Sequence, residues 1–236
     1  MKEKIKMDLE ELKKDQIRKN LDILPDRYPN IISFIDFANV NHWFDEDDFD
    51  ESGVKMADNE LLTIGLQKLK DFLSAFSSDD RFYYGHDPVN PGSLRFKRAA
   101  EHIFGKSRVF TKPIQQIKHY LDSEEKSETM RKINVDKGGN FIWIPKCNFD
   151  VEVSVDSVRL INSYDTFCLL SSDADFAALI RFLKKQKKKI ILIKGGHIDA
   201  SLGELVDNKI NAQDIKKYIA VKKQKPDSRE SGLAES

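Results

Sequence analysis

The chain has 236 residues, of which 40% are hydrophobic, and its 39 lysine and arginine residues balance its 39 aspartate and glutamate residues. This length suits one domain of about 150 to 200 residues with appendages, and a neutral chain neither favours nor excludes nucleic acid as a ligand. The two cysteines, Cys147 and Cys168, lie outside any C-x-x-C pattern, which argues against a disulfide framework or a structural zinc site and fits a reducing cytosol.

The first 28 residues are predicted to form an amphipathic helix outside the main core. Leucine and isoleucine recur at roughly helical spacing among charges in residues 1–24. We expect this helix to pack on the domain, and the alternative is that it contacts a protein partner or a second copy of the chain. The segment lacks the apolar centre of a signal peptide, and no stretch approaches the roughly 20 apolar residues of a membrane helix, so we expect a soluble, cytoplasmic protein.

Short apolar runs alternate with helical patterns along residues 29–220, the predicted main domain. The runs typical of buried strands are residues 31–36, 81–85, 107–114, 166–172 and 190–196. The helical patterns cover residues 59–76, 91–105, 149–161, 173–189 and 201–210. The alternation predicts an α/β fold with a central, mostly parallel five-stranded sheet flanked by helices, and in such sheets ligands bind outside the carboxyl ends of the strands.

Two segments are expected to lie outside this framework. Residues 114–146 form a polar, charged insertion whose last part, "KGGNFIWIPK", is predicted to be a hairpin arm turning at Gly138–Gly139. Residues 221–236 have the composition of a disordered basic and polar tail.

Acidic residues follow two of the predicted strands. Asp36 ends the first strand, Asp173 and Asp175 follow the fourth, and Asp150 precedes the helix that leads into the fourth. The ends of parallel strands meet at one edge, and two unit charges about 4 Å apart cost on the order of 4 kcal/mol at an effective dielectric of 20. Oxygen ligands favour Mg²⁺ or Mn²⁺, which would relieve this repulsion and suit phosphodiester hydrolysis.

Each acid also has a simpler interpretation, since Ser and Asp are preferred residues at the N-caps of helices. Asp156 lies roughly 240° around the helix from Asp150, so it is expected to support the site rather than share its face. Asn39 could hold the Asp36 carboxylate or contact a phosphate. Ser171 and Ser172 could supply hydroxyl groups, and turn or capping roles stay open for all three.

Positive and aromatic residues are candidates for nucleic-acid binding. The basic candidates are Arg95, Lys97, Arg98, Lys184, Lys185, Lys187 and Lys188. Further basic residues in the insertion could close over a substrate, namely Lys118, Lys126, Arg131 and Lys132. Tyr84 and His86, and the pair His42 and Trp43, could stack on bases. For each group the alternative is an ordinary solvated or packed surface.

Three segments resemble motifs of the NYN domain family, a branch of the PIN-like nucleases. "FIDFANV" resembles the first-strand motif, "KCNFDVEVSVDSVRLI" is similar to the Lys–Asp–Asp helix motif, and "YDTFCLLSSDADFAALIRFLKKQKKKIILI" resembles the Ser–Gly–Asp segment and following strand. The resemblance covers about residues 31–210. It departs from the family at Ser172, where the motif has glycine, and at Lys146, which lies one residue further from its aspartate.

The resemblance implies a Rossmann-like PIN/NYN fold, a divalent metal held by acidic residues, and RNA cleavage in many members. Carried onto this chain, it makes Asp36, Asp150, Asp173 and Asp175 the catalytic and metal-binding residues. We therefore expect a Mg²⁺- or Mn²⁺-dependent endoribonuclease that acts on RNA in single-stranded form. The alternative is a catalytically inactive NYN-type RNA-binding or scaffold module.

Two other enzyme classes fit the sequence less well. An aspartyl-phosphate phosphatase needs Asp-x-Asp after the first strand, but Asp36 is followed by Phe37 and Ala38. A dinucleotide-binding enzyme needs a glycine fingerprint at the same place, and the sequence has none there.

Overall fold

A computed structural model describes residues 2–122, 132–196 and 200–225 of the chain. Its strands are β1 (Ile31–Asp36), β2 (Glu60–Ile64), β3 (Ser77–His86), β4 (Val109–Pro113), β5 (Gln115–Tyr120), β6 (Asn134–Asp136), β7 (Gly139–Lys146), β8 (Thr166–Leu170), β9 (Lys189–Lys194), β10 (Asn208–Asn211) and β11 (Ala220–Gln224). Its α-helices are α1 (Lys2–Asn20), α2 (Phe37–Val40), α3 (Leu66–Leu73), α4 (Pro91–Phe104), α5 (Asp150–Arg159), α6 (Ala177–Lys185), α7 (Ala200–Gly203) and α8 (Ala212–Ile219). Single 3₁₀ turns lie at Lys106–Arg108, Ile161–Ser163 and Ala174–Phe176.

Six parallel strands form the central sheet, in the order β10-β9-β8-β1-β3-β4. Every residue of β1 is buried, because this strand lies inside the sheet and helices cover both faces. On one face α3, α4 and α8 contribute Leu69, Ala100 and Ile215 to the core. On the other face α5 and α6 contribute Val153 and Ile180. The predicted parallel α/β architecture is confirmed, with one strand more than expected.

The additional strand replaces a predicted helix. Residues 201–210 were expected to be helical, but the helix α7 ends at Gly203 and Asn208–Asn211 pair with β9 as the parallel strand β10. Asp207 accepts a hydrogen bond from the backbone N–H of Ile190, which directs the chain into the sheet beside β9. Burial of Ile210 in the core then outweighs the helical spacing of the local sequence.

A second correction concerns residues 59–76, which were predicted to be one helix. Residues 60–64 form β2, paired antiparallel with β11, and the helix begins only at Leu66. Gly65 joins the two elements where a Cβ atom would lie 2.8 Å from Val221 Cγ1. The same pairing makes the prediction of a disordered tail wrong for residues 221–224, whereas residues 226–236 lie outside the described residues.

The insertion forms its own three-stranded antiparallel sheet in the order β5-β7-β6. The expected hairpin is present, with Asp136 paired to Gly139 across the turn. A single residue separates β4 from β5, and β7 leads through residues 147–149 into α5. The insertion sheet therefore stands at the carboxyl edge of the central sheet. Lys126 and Arg131 lie outside the described residues.

The N-terminal helix packs on the domain through its carboxyl-terminal half. Ile17 contacts the core, and the Arg18 guanidinium donates to the carbonyl of Ala75 at 2.6 Å. Leu9 and Leu12, one to two turns earlier, are 53% and 64% exposed. Within the described ranges, no helix has both the length and the apolar character needed to cross a membrane.

Candidate metal centre

Three carboxylates converge beside the carboxyl ends of β1 and β8. Asp150 is the first residue of α5, and Asp173 and Asp175 lie in the loop and 3₁₀ turn that follow β8. One oxygen from each carboxylate lies within 4.8 Å of the other two. The parallel topology thus brings together residues that are more than twenty positions apart, at the edge where the sequence analysis expected them.

The loop after β8 is shaped by its own side chains. Asp173 Oδ1 accepts a hydrogen bond from the backbone N–H of Asp175 at 3.0 Å, so Asp173 is the N-cap of the 3₁₀ turn. The Ser171 hydroxyl accepts from the backbone N–H of Asp173 at 3.2 Å. Because a carboxylate has two oxygens and about four lone-pair sites, capping leaves Asp173 able to bind a cation as well.

Asn148 fixes Asp150 through two hydrogen bonds that the sequence analysis did not anticipate. Its Oδ1 accepts from the backbone N–H of Asp150 at 2.7 Å, and its Nδ2 donates to Asp150 Oδ2 at 2.6 Å. Burial raises the pKa of Asp150, and the charges of Asp173 and Asp175 raise it further, against the lowering effect of the Asn148 amide. An asparagine two residues before an aspartate at a helix start is the signal that could have identified this pair.

Asp36 lies next to the group of three, in a more buried position. Its Oδ2 accepts a hydrogen bond from the Ser171 hydroxyl at 3.0 Å. Burial raises the pKa of Asp36 to about 6, and the negative charges of Asp150 and Asp173 contribute to that rise. The Asp36 carboxylate therefore interacts electrostatically with the other acids, although it is not one of the three whose oxygens lie within 4.8 Å of one another.

Asn39 and Ser172 hold the surrounding loops in place. Asn39 Oδ1 accepts from the backbone N–H of Ser172 at 3.0 Å and from the indole N–H of Trp43 at 3.1 Å. The Ser172 hydroxyl donates to the carbonyl of Gly195 at 2.7 Å and accepts from its N–H at 3.1 Å. Trp43 is 9% exposed and packs against Gly195, where a Cβ atom would lie 2.4 Å from the indole ring. Of the two interpretations of Trp43, packing therefore holds and base stacking does not.

Asp156 supports α5 from another side of that helix. The buried Tyr83 hydroxyl donates to Asp156 Oδ2 at 2.8 Å, and burial together with this hydrogen bond raises the pKa of Tyr83. Tyr84 and His86, the other candidates on β3, are only half-buried, and Tyr84 bonds to Ser93 Oγ at 3.0 Å.

The lysines at the end of α6 lie far from the acids in the fold. α6 begins beside the carboxyl edge of the sheet and runs back along it, so its last turn lies at the amino edge. There Lys188 donates to the carbonyl of Tyr164, just before β8 begins, and Lys184 pairs with Asp207 at 2.8 Å. The expectation that these residues surround the acids needs correction for all four: Lys184, Lys185, Lys187 and Lys188.

The other basic candidates lie on α4 and on the insertion sheet. Arg95, Lys97 and Arg98 are in the middle of α4, which follows the carboxyl end of β3, and both arginines are exposed. In the insertion sheet, Lys118 pairs with Asp136. Lys146, which the family motif singles out, is exposed at the end of β7, four residues before Asp150.

Comparison with known proteins identifies both a family and a fold. The family model described as NYN domain matches residues 30–212. Among solved structures, a protein of unknown function, VPA0982, from Vibrio parahaemolyticus RIMD 2210633 aligns with a TM-score of 0.52 and 16% identity, covering 82% of this chain and 98% of that chain. At that identity the likeness concerns the fold alone. No curated protein matches the chain.

Proposed function

The chain belongs to the NYN domain family, part of the PIN-like superfamily, and on this premise we propose that it is a metal-dependent endoribonuclease. The observation that carries the proposal is the convergence of Asp150, Asp173 and Asp175 at the carboxyl edge of the sheet. This is the edge at which open α/β folds bind their ligands.

The donor set fits a hard divalent cation. Mg²⁺ binds oxygen ligands at 2.0–2.1 Å, so two ligands on opposite sides of the ion lie about 4 Å apart. The three carboxylate oxygens, all within 4.8 Å of one another, satisfy this requirement with small side-chain movements. A purely carboxylate set suits Mg²⁺ or Mn²⁺ and disfavours metals that prefer sulfur or imidazole.

The residues of the site divide into ligands and positioning groups. Asp150, Asp173 and Asp175 would hold the ion, and Asp36, behind them, would reach it through a water molecule. A bound ion of this kind lowers the pKa of a water molecule and offsets charge on a phosphoryl group. Asp175, the most exposed of the three ligands, accepts a hydrogen bond from the attacking water, while Asn148 and Ser171 hold their carboxylate partners in place.

RNA in single-stranded form is the proposed substrate. A cleft beside the acids is lined by residues from both α4 and the insertion sheet, so a strand would pass between two walls rather than across a flat surface. Lys146 lines the cleft, and the exposed Arg95 and Arg98 belong to α4, so all three are proposed to attract the phosphate backbone.

A labelled single-stranded RNA tests the proposal directly. We expect internal cleavage products with Mn²⁺ and intact RNA with EDTA. Mn²⁺ binding by calorimetry without any cleavage would instead support the alternative, a non-catalytic RNA-binding module.

A further inference from the structure

A cleft of about 720 Å³ opens beside the candidate metal centre. Phe37 and Ala38, which directly follow Asp36, line one side of it, and Lys146 and Cys147 line another. Asp36 is the last residue of β1 and is bonded to Phe37, so the cleft wall begins where this acidic residue ends the strand. The volume falls within the range of about 300–1,000 Å³ that is usual for small-molecule sites.

One wall of the cleft is aromatic and held rigidly. The ring centroid of Phe96 lies 4.9 Å from that of Phe37 and 4.7 Å from that of Tyr84. The Tyr84 hydroxyl bonds to Ser93 Oγ at 3.0 Å, and this oxygen also accepts from the backbone N–H of Asp87 at 2.9 Å. Phe96 and Tyr84 are only half-buried, so their rings present a fixed apolar surface to the cleft.

The rim of the cleft carries amide groups that can recognise a planar polar ligand. The exposed side chain of Asn41 has no hydrogen-bond partner within the described ranges of the chain. Asn90 uses its Oδ1 to cap α4 through the N–H groups of Gly92 and Ser93, which leaves its Nδ2 to donate elsewhere. An asparagine amide supplies donors and an acceptor, which is what the edge of a nucleobase requires.

We propose that this cleft is a subsite for one unstacked nucleobase of the RNA strand, next to the phosphodiester bond positioned at the acids. The inference rests on the proposed function for its substrate. Proteins recognise single-stranded RNA by stacking splayed bases on aromatic side chains and by hydrogen bonds to their edges, and the cleft offers both in one place. Lys146 lines the cleft and forms no ion pair with any described residue, so its positive charge can contact the phosphate of the bound nucleotide.

A matched pair of variants separates this role from a general effect on the fold. Ala38 is exposed and lines the cleft, so Ala38→Phe places a ring in the cleft without altering the core. Ala99 is an exposed alanine of α4 that does not line the cleft, so Ala99→Phe adds the same apolar group elsewhere.

The test is fluorescence anisotropy with a short labelled single-stranded RNA in EDTA, using an intact RNA and a series in which one nucleotide is abasic. We expect Ala38→Phe to weaken binding of the intact RNA about tenfold, as loss of one stacked base does, and Ala99→Phe to change it less than twofold. In the abasic series, one position of the missing base should weaken binding to the unmodified protein by a similar factor. The same abasic RNA should bind Ala38→Phe as tightly as the intact RNA does.

Equal affinity of Ala38→Phe and the unmodified protein, equal affinity for every abasic RNA, or no binding at all would overturn the subsite. The binding assay needs no turnover, so it is separable from the nuclease proposal. If one abasic nucleotide weakens binding but Mn²⁺ produces no cleavage, the subsite stands and the nuclease proposal is rejected. If Mn²⁺ produces cleavage but no abasic nucleotide weakens binding, the nuclease proposal stands and the subsite is rejected.

Discussion

The hydroxyl of Ser171 donates to Asp36 Oδ2 at 3.0 Å and thereby joins the ends of the two central strands, β8 and β1. The same oxygen accepts from the backbone N–H of Asp173. One fully buried hydroxyl therefore sets the position of a carboxylate on one strand and of the acidic loop on the other. The geometry of the candidate metal centre depends on this serine.

Ser171→Ala should lower both stability and cation affinity. Without the hydroxyl, the buried Asp36 carboxylate loses a hydrogen-bond donor and the backbone N–H of Asp173 loses its acceptor. The free energy of unfolding should fall by about 1–3 kcal/mol. Mn²⁺ affinity by calorimetry should fall about tenfold, the lower range for groups that orient metal ligands.

Ser157→Ala is the control for that experiment. Ser157 is equally buried, and its hydroxyl donates to the carbonyl of Ser154 in the same helix. Urea unfolding should show a loss of stability of about 1 kcal/mol, with Mn²⁺ affinity unchanged. If both variants bound Mn²⁺ as the unmodified protein does, the positioning role of Ser171 would be rejected.

Asp150→Asn and Asp173→Asn should each reduce Mn²⁺ affinity and RNA cleavage by at least about a hundredfold, because each removes a charged ligand from a set of three. Circular dichroism should show the fold retained. Asp165→Asn makes the same change at an exposed residue before the amino end of β8 and should cleave normally. Cleavage at the usual rate by Asp173→Asn would refute the assignment.

Asp36 should make stability fall as pH rises when no divalent cation is bound. Its pKa is about 6 in the folded chain against 3.8 for an aspartate in the unfolded chain, so between these pH values the folded state binds more protons than the unfolded state. The free energy of unfolding should therefore decrease by about 2 kcal/mol as pH rises from about 4 to 7. Asp36→Asn removes this contribution and should be the more stable form at pH 7 in EDTA.

Urea unfolding at several pH values checks that prediction. The two proteins should converge near pH 4, where Asp36 is protonated in the folded state. Parallel profiles across the whole range would show that Asp36 is not held in the buried, acid-flanked environment described above.

Asp156 should prove to be structural. Because it accepts from the buried Tyr83 hydroxyl, Asp156→Ala should cost about 1–3 kcal/mol of stability and leave Mn²⁺ affinity unchanged. Tyr83→Phe removes the other partner, and a double-mutant cycle should give a coupling of about 0.5–3 kcal/mol between the two. A large loss of Mn²⁺ affinity in Asp156→Ala would place this residue among the metal ligands.

The meeting of the acids at one edge of the sheet was predictable from the sequence, because buried strand patterns and acidic residues occur together there. Buried runs mark the strands that end near Asp36 and Asp173, and parallel topology then places those ends at one edge. The motif also predicted that Asn39 and Ser171 lie beside these acids. It did not predict their hydrogen-bond partners, because a hydrogen bond between residues more than 130 positions apart leaves no local pattern in the sequence.

The failures have equally physical causes. Residues 60–64 form a strand only because residues 220–224 return beside them, a pairing across about 160 positions that no local periodicity reports. The lysines near residue 185 could have been excluded from the site, because a helix that leaves the carboxyl end of a strand must end near the opposite edge. Asn148 was not predicted because its neutral side chain orients a charged ligand and carries no charge of its own.

The most direct measurement is anomalous diffraction from a crystal of the protein soaked in Mn²⁺. We expect one strong peak among Asp150, Asp173 and Asp175, about 2.2 Å from an oxygen of each. A crystal with ordered carboxylates and no peak at that position, or with the peak elsewhere on the molecule, would contradict this expectation.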